Sequence, residues 1–165
     1  MKKKSVLISG KIGKFNKTIS VEGDKSISHR ALLIASQCIG ASNIKNILES
    51  EDVKNTMICL KKLGIKIVIK NSKCVVYGNG LGGFRKPKNN FLYAGNSGTL
   101  ARILIALLAT QANLKTKIAG DNSLNKRDMK RIIGPLSKIG CNFYPKNRTT
   151  LPLTIEGTSM PLAQK

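Results

Sequence analysis

The 165-residue chain has no tryptophan, and its aromatic residues amount to 4%. Its core must therefore be built from Ile, Leu, Val and Ala. No ring platform interleaves the basic residues, so bases of a nucleic acid have nothing to stack on. Only one histidine, His29, is available, against eight acids. No Ser/His/Asp triad is legible, and no pair of carboxylates looks poised for acid–base work. Glu51 and Asp52 stand where a helix N-terminus uses acids. The four cysteines, Cys38, Cys59, Cys74 and Cys141, show no C-x-x-C spacing. With one imidazole to join them they exclude a zinc site, and no metal is expected. Each lies in an apolar segment and reads as a reduced, buried thiol of a cytosolic protein. Long hydrophobic runs are missing too. Val6-Leu7-Ile8 after Lys2-Lys3-Lys4 is too short for a signal sequence. The run from Ile103 to Ala109 is far short of a membrane span. A soluble, cytoplasmic protein without membrane contact is expected.

What the chain does have is positive charge, +21 from 29 Lys and Arg against 8 acids. The lysines are scattered singly or in pairs, unlike the clustered footprint of a nucleic-acid protein. A solvated basic surface, with a few cations reserved for a small anionic ligand, fits better. No nucleic-acid partner is expected.

Glycines and turns divide the chain into two similar rounds. The opening reads as strand, turn, strand: SVLI, GKIGKFN, KTISV. A helix is predicted over 27–38, then a short strand NIKNIL. Ser50-Glu51-Asp52 starts a second helix with Val53, Met57, Leu60 and Leu63 on one face, ended by Gly64 as a C′ glycine. Strands IKIVIK and KCVVYG follow, joined by a turn near Asn71-Ser72. The second round opens at AGNSG and runs TLARILIALLATQ as helix, KTKIAG as strand, 126–139 as helix, and CNFYPK and LPLTIEG as strands. LKKLG at 60–64 matches LSKIG at 136–140, 76 positions on, and Arg30 matches Arg102, 72 positions on. Each round reads βαβαββ, so the fold class is α/β (α+β) with mixed sheets.

Three helix starts carry cations or hydroxyls. In GDKSISHR, Ser26 or Ser28 caps the helix, Lys25 adds a point charge, and Arg30 lies one turn on from Ser26. Free N–H groups and the helix dipole attract an anion there, and a guanidinium fork suits a carboxylate or phosphate. The pattern is not a P-loop, because the G-x-x-x-x-G-K-[ST] spacing is missing. In GNSGT, Gly95 and Gly98 let backbone approach a ligand, Thr99 caps, and Arg102 follows. Lys126-Arg127-Asp128 opens another helix. The first two starts alone read equally well as ordinary capping, and the third alone reads better as a solvated charged terminus. One helix terminus contributes about 0.3–2 kcal/mol and one charged hydrogen bond about 1.5–3 kcal/mol. Holding an anion near 10 μM takes about 7 kcal/mol. Several sites must converge, which suits a small substrate with more than one anionic group.

At these motifs the chain resembles the 5-enolpyruvylshikimate-3-phosphate synthase family. GDKSISHRALLIA, GNSGTLARIL and GDNSLNKRDMKRIIGPLSKIG carry the resemblance, which spans nearly the whole chain. It implies transfer of the enolpyruvyl group of phosphoenolpyruvate to the 5-hydroxyl of shikimate 3-phosphate, toward chorismate and aromatic amino acids. It implies no metal or organic cofactor, and a monomer in the full-length form. By that resemblance Lys25, Ser26, Arg30 and Thr99 bind shikimate 3-phosphate, and Lys25, Asn96, Gly98 and Arg127 bind phosphoenolpyruvate. Glyphosate should compete with phosphoenolpyruvate beside Gly98. Asp128 departs from a proline common in the family; it either pairs with Arg127 or caps the helix.

The family has two lobes, each of three βαβαββ units arranged as an inverse α/β barrel. Two units are legible here, about 23–80 and 91–157. Residues 23–165 then form an incomplete N-terminal lobe, and 1–22 are N-terminal strands belonging partly to the other lobe. The chain stops near TIEGTSMPLAQK, ahead of the expected Ser-Ser-Gln or Ser-Ala-Gln motif. It is expected to be an N-terminal piece, inactive alone, with the acid–base residues elsewhere. Two other readings compete. A UDP-N-acetylglucosamine enolpyruvyl transferase is disfavoured, because Lys25-Ser26 and Ser28-His29-Arg30 replace its Gly-Ala-Lys-Asn pattern. An RNA-binding βαβαββ protein is disfavoured by the glycine loops and sparse aromatics.

Overall fold

The Asp24 carboxylate accepts the Ile27 N–H at 2.7 Å and starts the first helix, α1, Lys25–Ser36. This is a computed structural model, describing residues 9–11, 13, 14, 16–70, 73–112 and 114–163. Strand β1 (Ile39–Lys45) follows α1, then helix α2 (Glu51–Lys62), then strands β2 (Lys66–Lys70) and β3 (Lys73–Asn79). Ser50 caps α2 through Val53 N–H, and Gly64 takes φ +87° just beyond its end. The three strands form one antiparallel sheet in the order β1-β3-β2. Its register sets Ile44 opposite Cys74 and Ile67 opposite Val76.

The second round is longer. Strand β4 (Phe91–Tyr93) leads into helix α3 (Gly98–Ala109), strand β5 (Lys115–Ala119), and a short helix α4 (Asn122–Asn125). Helix α5 (Lys130–Lys138) and strands β6 (Asn142–Tyr144) and β7 (Leu153–Glu156) complete it. This sheet runs β4-β5-β7-β6, with β4 parallel to β5 and the other pairs antiparallel. It is the βαβαββ unit read from the sequence, in a mixed α/β architecture.

The repeat is visible in burial. Ser28, His29, Leu32, Leu33 and Ser36 are buried in α1; Leu100, Ala101, Leu104, Ile105 and Leu108, each 72 positions on, are buried in α3. A wide apolar stripe on each helix faces the core, as an amphipathic helix against a sheet requires. Leu32, Leu60, Leu104, Ile118, Leu153 and Ile155 are all fully buried in one continuous core. Both rounds also close in the same way. A Cβ on Gly78 would overlap the carbonyl oxygens of Ala35 and Cys38, and one on Gly157 would overlap that of Gln111 and crowd that of Leu108. Only glycine lets the last strand of each round lie against the C-terminus of its first helix.

Four expectations need correction. No strand forms in KTISV: residues 17–21 join no sheet, and Ile19 and Val21 are each 71% exposed. Among the described residues β1 has no neighbour on its outer edge, whereas β5 has β4. The strand read at NIKNIL starts earlier, at Ile39, and leaves Ile47 as a buried loop residue. The helix read over 126–139 begins later, at Lys130, and a separate short helix, α4, lies ahead of that range. Asp121 caps α4 and the chain turns at Lys126–Met129 before α5 begins. The SVLI segment and the Asn71-Ser72 turn lie outside the described residues. Of the cysteines, Cys59, Cys74 and Cys141 are buried as expected, but Cys38 is exposed because it follows the end of α1.

Candidate anion-binding site

The N-terminal turns of α1, α2 and α3 meet. Lys25 Nζ sits 3.1 Å from Asp52 Oδ2, joining the starts of α1 and α2. This pair is half open to solvent, at 55% and 24% side-chain exposure, so it contributes at most about 1 kcal/mol. Its role is to hold the ammonium in place. Neither serine of GDKSISHR is the cap; Asp24 is. Asp24 wins because a carboxylate directly before the first turn reaches the free N–H groups of that turn. Ser28 instead donates to the Asp24 carbonyl at 2.8 Å and accepts the Leu48 N–H at 3.0 Å, tying down the loop before α2. Ser26 is half-buried and Arg30 exposed, on the first turns of α1. Neither side chain has a hydrogen-bond partner among the described residues.

The GNSGT loop is held from three sides. Ser97, not Thr99, caps α3, accepting the Leu100 N–H at 3.2 Å. Ser97 directly precedes Gly98, the first helical residue, so Thr99 lies inside the helix and cannot take that position. The buried His29 ring bridges Thr56 Oγ1 at 2.6 Å and Ser97 Oγ at 3.3 Å. The Gly95 carbonyl accepts the Asp121 N–H at 2.9 Å.

Arg127 does not open a helix. It lies in the turn between α4 and α5, and this lets it reach back to the loop. Its Nη2 donates to Asn96 Oδ1 at 2.9 Å, and Asn96 Nδ2 donates to Asp121 Oδ2 at 2.8 Å. Asp121 also accepts the Leu124 N–H at 2.7 Å. A Cβ placed on Gly98 would stand 3.0 Å from Arg102 Nη1 and 3.2 Å from Arg127 Nη1. Two guanidinium groups therefore close on one bare backbone position at a helix N-terminus. Asp128 does not pair with Arg127. It accepts the Lys130 N–H at 2.8 Å, and that bond holds its carboxyl below the usual range. Of the residues singled out from sequence, Asn96, Gly98 and Arg127 are thus in direct contact. Lys25 is tied to the same corner through Asp52. Ser26, Arg30 and Thr99 flank it without bonds of their own among the described residues.

The sequence profile of EPSP synthase (3-phosphoshikimate 1-carboxyvinyltransferase) matches residues 10–164. The chain belongs to the EPSP synthase family. A 3-phosphoshikimate 1-carboxyvinyltransferase of Syntrophomonas wolfei is 45% identical over 143 residues, covering 86% of this chain and 33% of the relative. One from Petrotoga mobilis is 44% identical over 154 residues, covering 91% and 35%. The solved EPSP synthase of Acinetobacter baumannii superposes with a TM-score of 0.77 at 35% identity, over 84% of this chain and 31% of that one. The chain spans about a third of the length of the curated relatives it matches. Among the described residues no helix is long and apolar enough to cross a membrane.

Four residues that build this corner were not legible from the sequence. Asp52 reads as a helix-start acid and Asp121 carries no signal of its own, yet they hold the candidate residues Lys25 and Asn96. Thr56 and Ser97 escaped because their partner, His29, lies on another helix. The signal available for Arg102 was its repeat match to Arg30. That match did not show that it shares the space over Gly98 with Arg127.

Proposed function

We propose that this chain supplies the substrate-holding part of an enolpyruvyl transfer site. The observation that carries the reading is the pair of guanidinium groups, Arg102 and Arg127, closing over Gly98 at the start of α3. Arg127, Asn96 and the free N–H groups around Gly98 hold the carboxylate and phosphate of phosphoenolpyruvate. Lys25 stands between the two substrates, and Ser26, Arg30 and Thr99 hold shikimate 3-phosphate. The 5-hydroxyl then attacks C2 of phosphoenolpyruvate while C3 takes up a proton. The tetrahedral adduct then loses a proton from C3 and expels phosphate, which leaves the enolpyruvyl ether. In this reading the cations fix both anions and stabilise charge at the phosphate; they do not move the protons. The groups that do so belong to the part of the relatives that this chain does not span. The full-length protein works in the cytoplasm as a monomer, with 1–22 serving partly the other lobe and 23–165 forming most of this one.

The test is complementation. The 165-residue chain is mixed with the remaining two-thirds of the Syntrophomonas wolfei relative as a separate polypeptide, and phosphate release from both substrates is followed. Turnover is expected from the mixture and not from either piece. Arg127→Ala in this chain should lower it by at least about tenfold, for loss of a charged hydrogen bond. Turnover by the chain alone would overturn the division of labour. Preference for UDP-N-acetylglucosamine over shikimate 3-phosphate, or RNA binding with a steep salt dependence, would overturn the function itself.

A further inference from the structure

His29 is fully buried at the point where α1, α2 and α3 meet, and the family reading leaves it without a role. Its two ring nitrogens face two hydroxyls, Thr56 Oγ1 at 2.6 Å and Ser97 Oγ at 3.3 Å. The direction of both bonds follows from counting hydrogens. Thr56 Oγ1 donates its single hydrogen to the Asp52 carbonyl at 3.3 Å. Toward His29 it can only accept, so Nδ1 carries the proton. A neutral ring then has a bare Nε2, which accepts from the Ser97 hydroxyl. Ser97 keeps its lone pairs for the Leu100 N–H that it caps. Every donor and acceptor is used once, and only in the Nδ1–H tautomer.

We infer that His29 is a positioning residue: a neutral imidazole of fixed tautomer that ties the Asn96–Thr99 loop to α1 and α2. The bond from Ser97 lies between the two loop residues that contact Arg127, Asn96 on one side and Gly98 on the other. The bond to Thr56 lies one turn along α2 from Asp52, which holds Lys25. The three residues therefore set the distance between the lysine and the guanidinium cluster. The sense of that distance for catalysis rests on the function proposed above; the tautomer and the tether do not. Burial favours the neutral ring, Asp52 on α2 opposes this, and Lys25 and Arg30 on α1 reinforce it. The loop from Ala94 to Thr99 brings no ionisable side chain.

Because His29 is the single histidine of the chain, its ring nitrogens give one unambiguous set of signals in long-range 1H–15N NMR. The expected pattern at pH 7.5 is a protonated Nδ1 and a bare Nε2. Thr56→Val keeps the shape and removes the acceptor. It should mix the tautomers and speed amide exchange at Leu100, whose N–H Ser97 caps, by about tenfold, as loss of one buried hydrogen bond does. Thr56→Ser should restore both. Ser97→Ala removes the donor to the neutral ring and should raise the histidine pKa, which covers the case in which Thr56→Val does not fold. A bare Nδ1 in the wild-type chain would overturn the inference. So would tautomer and exchange rate unmoved in Thr56→Val, or an unmoved pKa in Ser97→Ala. Titrating shikimate 3-phosphate and phosphoenolpyruvate into the wild-type chain is read separately. Failure to bind them counts against the proposed function and leaves the tautomer result standing.

Discussion

Replacing Gly98 by alanine separates stability from recognition. Gly98 is the first residue of α3 and does not have positive φ, so alanine can take its backbone without strain. That change alone stabilises by about 0.4–1 kcal/mol, through the unfolded chain. Against it, the new Cβ would sit 3.0 Å from Arg102 Nη1 and 3.2 Å from Arg127 Nη1, with Leu124 Cδ1 at an ordinary 3.8 Å. The crowded atoms are the far ends of flexible side chains, so both guanidinium groups withdraw by a few tenths of an ångström and the fold survives. The melting temperature should change by no more than about 2–4 °C, the equivalent of about 1 kcal/mol at this size. Recognition should suffer more. The methyl group takes the space in which a ligand oxygen would meet both guanidiniums, and partial loss of one charged bond, about 1.4 kcal/mol, weakens binding about tenfold. Thermal unfolding of the 165-residue chain measures the first effect. Glyphosate inhibition of the complemented enzyme measures the second. A fall in melting temperature beyond about 5 °C would show that Gly98 is a packing glycine. Unchanged inhibition would show that ligands do not approach this position.

Gly78→Ala and Gly157→Ala should behave oppositely, because the added methyl meets fixed helix carbonyls and not movable side chains. Each should cost about 3 kcal/mol or more in urea unfolding; a loss below about 1 kcal/mol in both would refute the proposed close approach. His29 has its pKa lowered by burial, so its contribution to stability is complete above the ordinary value of about 6.5. The contribution should fall away as pH drops from there through the folded-state pKa. Urea midpoints between pH 7.5 and 5 should show this slope, and His29→Asn should flatten it. Thiol labelling should single out Cys38. Burial pushes Cys59 and Cys141 up to about 11, leaving about one thiolate in a thousand at pH 8. Rapid modification of either in the native chain would contradict their burial.

The alternation of elements was legible because glycine and helix-start residues punctuate it: Ser50 and Gly64 bracket α2 as read. The 72-residue offset was legible because matching helices bury matching positions. The cap of α1 was misassigned for a local reason: Asp24, Ser26 and Ser28 are all competent caps, and only the backbone geometry selects among them. The break at Lys126–Met129 was hidden because its residues fit a helical pattern, while Asp121 had already started α4 upstream. KTISV alternates like a strand, but a strand also needs a neighbour, and pattern cannot show one. In the site, the cations were legible by type. Their partners Asp52, Asp121, Thr56 and Ser97 were not, because each contact joins elements at least 25 residues apart in sequence.

The glycine contacts give each βαβαββ round a polarity. At one end the last strand presses against helix carbonyls through Gly78 or Gly157, where even a methyl group does not fit. At the other end the helix starts lie beside loops of unequal length, and there the second round carries the short helix α4, with Arg127 in the turn that follows it. One end is a fixed joint and the other an adjustable rim. A duplicated unit of this kind can acquire new ligand-binding residues by lengthening its rim, while the joint keeps helix and sheet in the same relation. Grafts meant to change what this corner binds belong between β5 and α5.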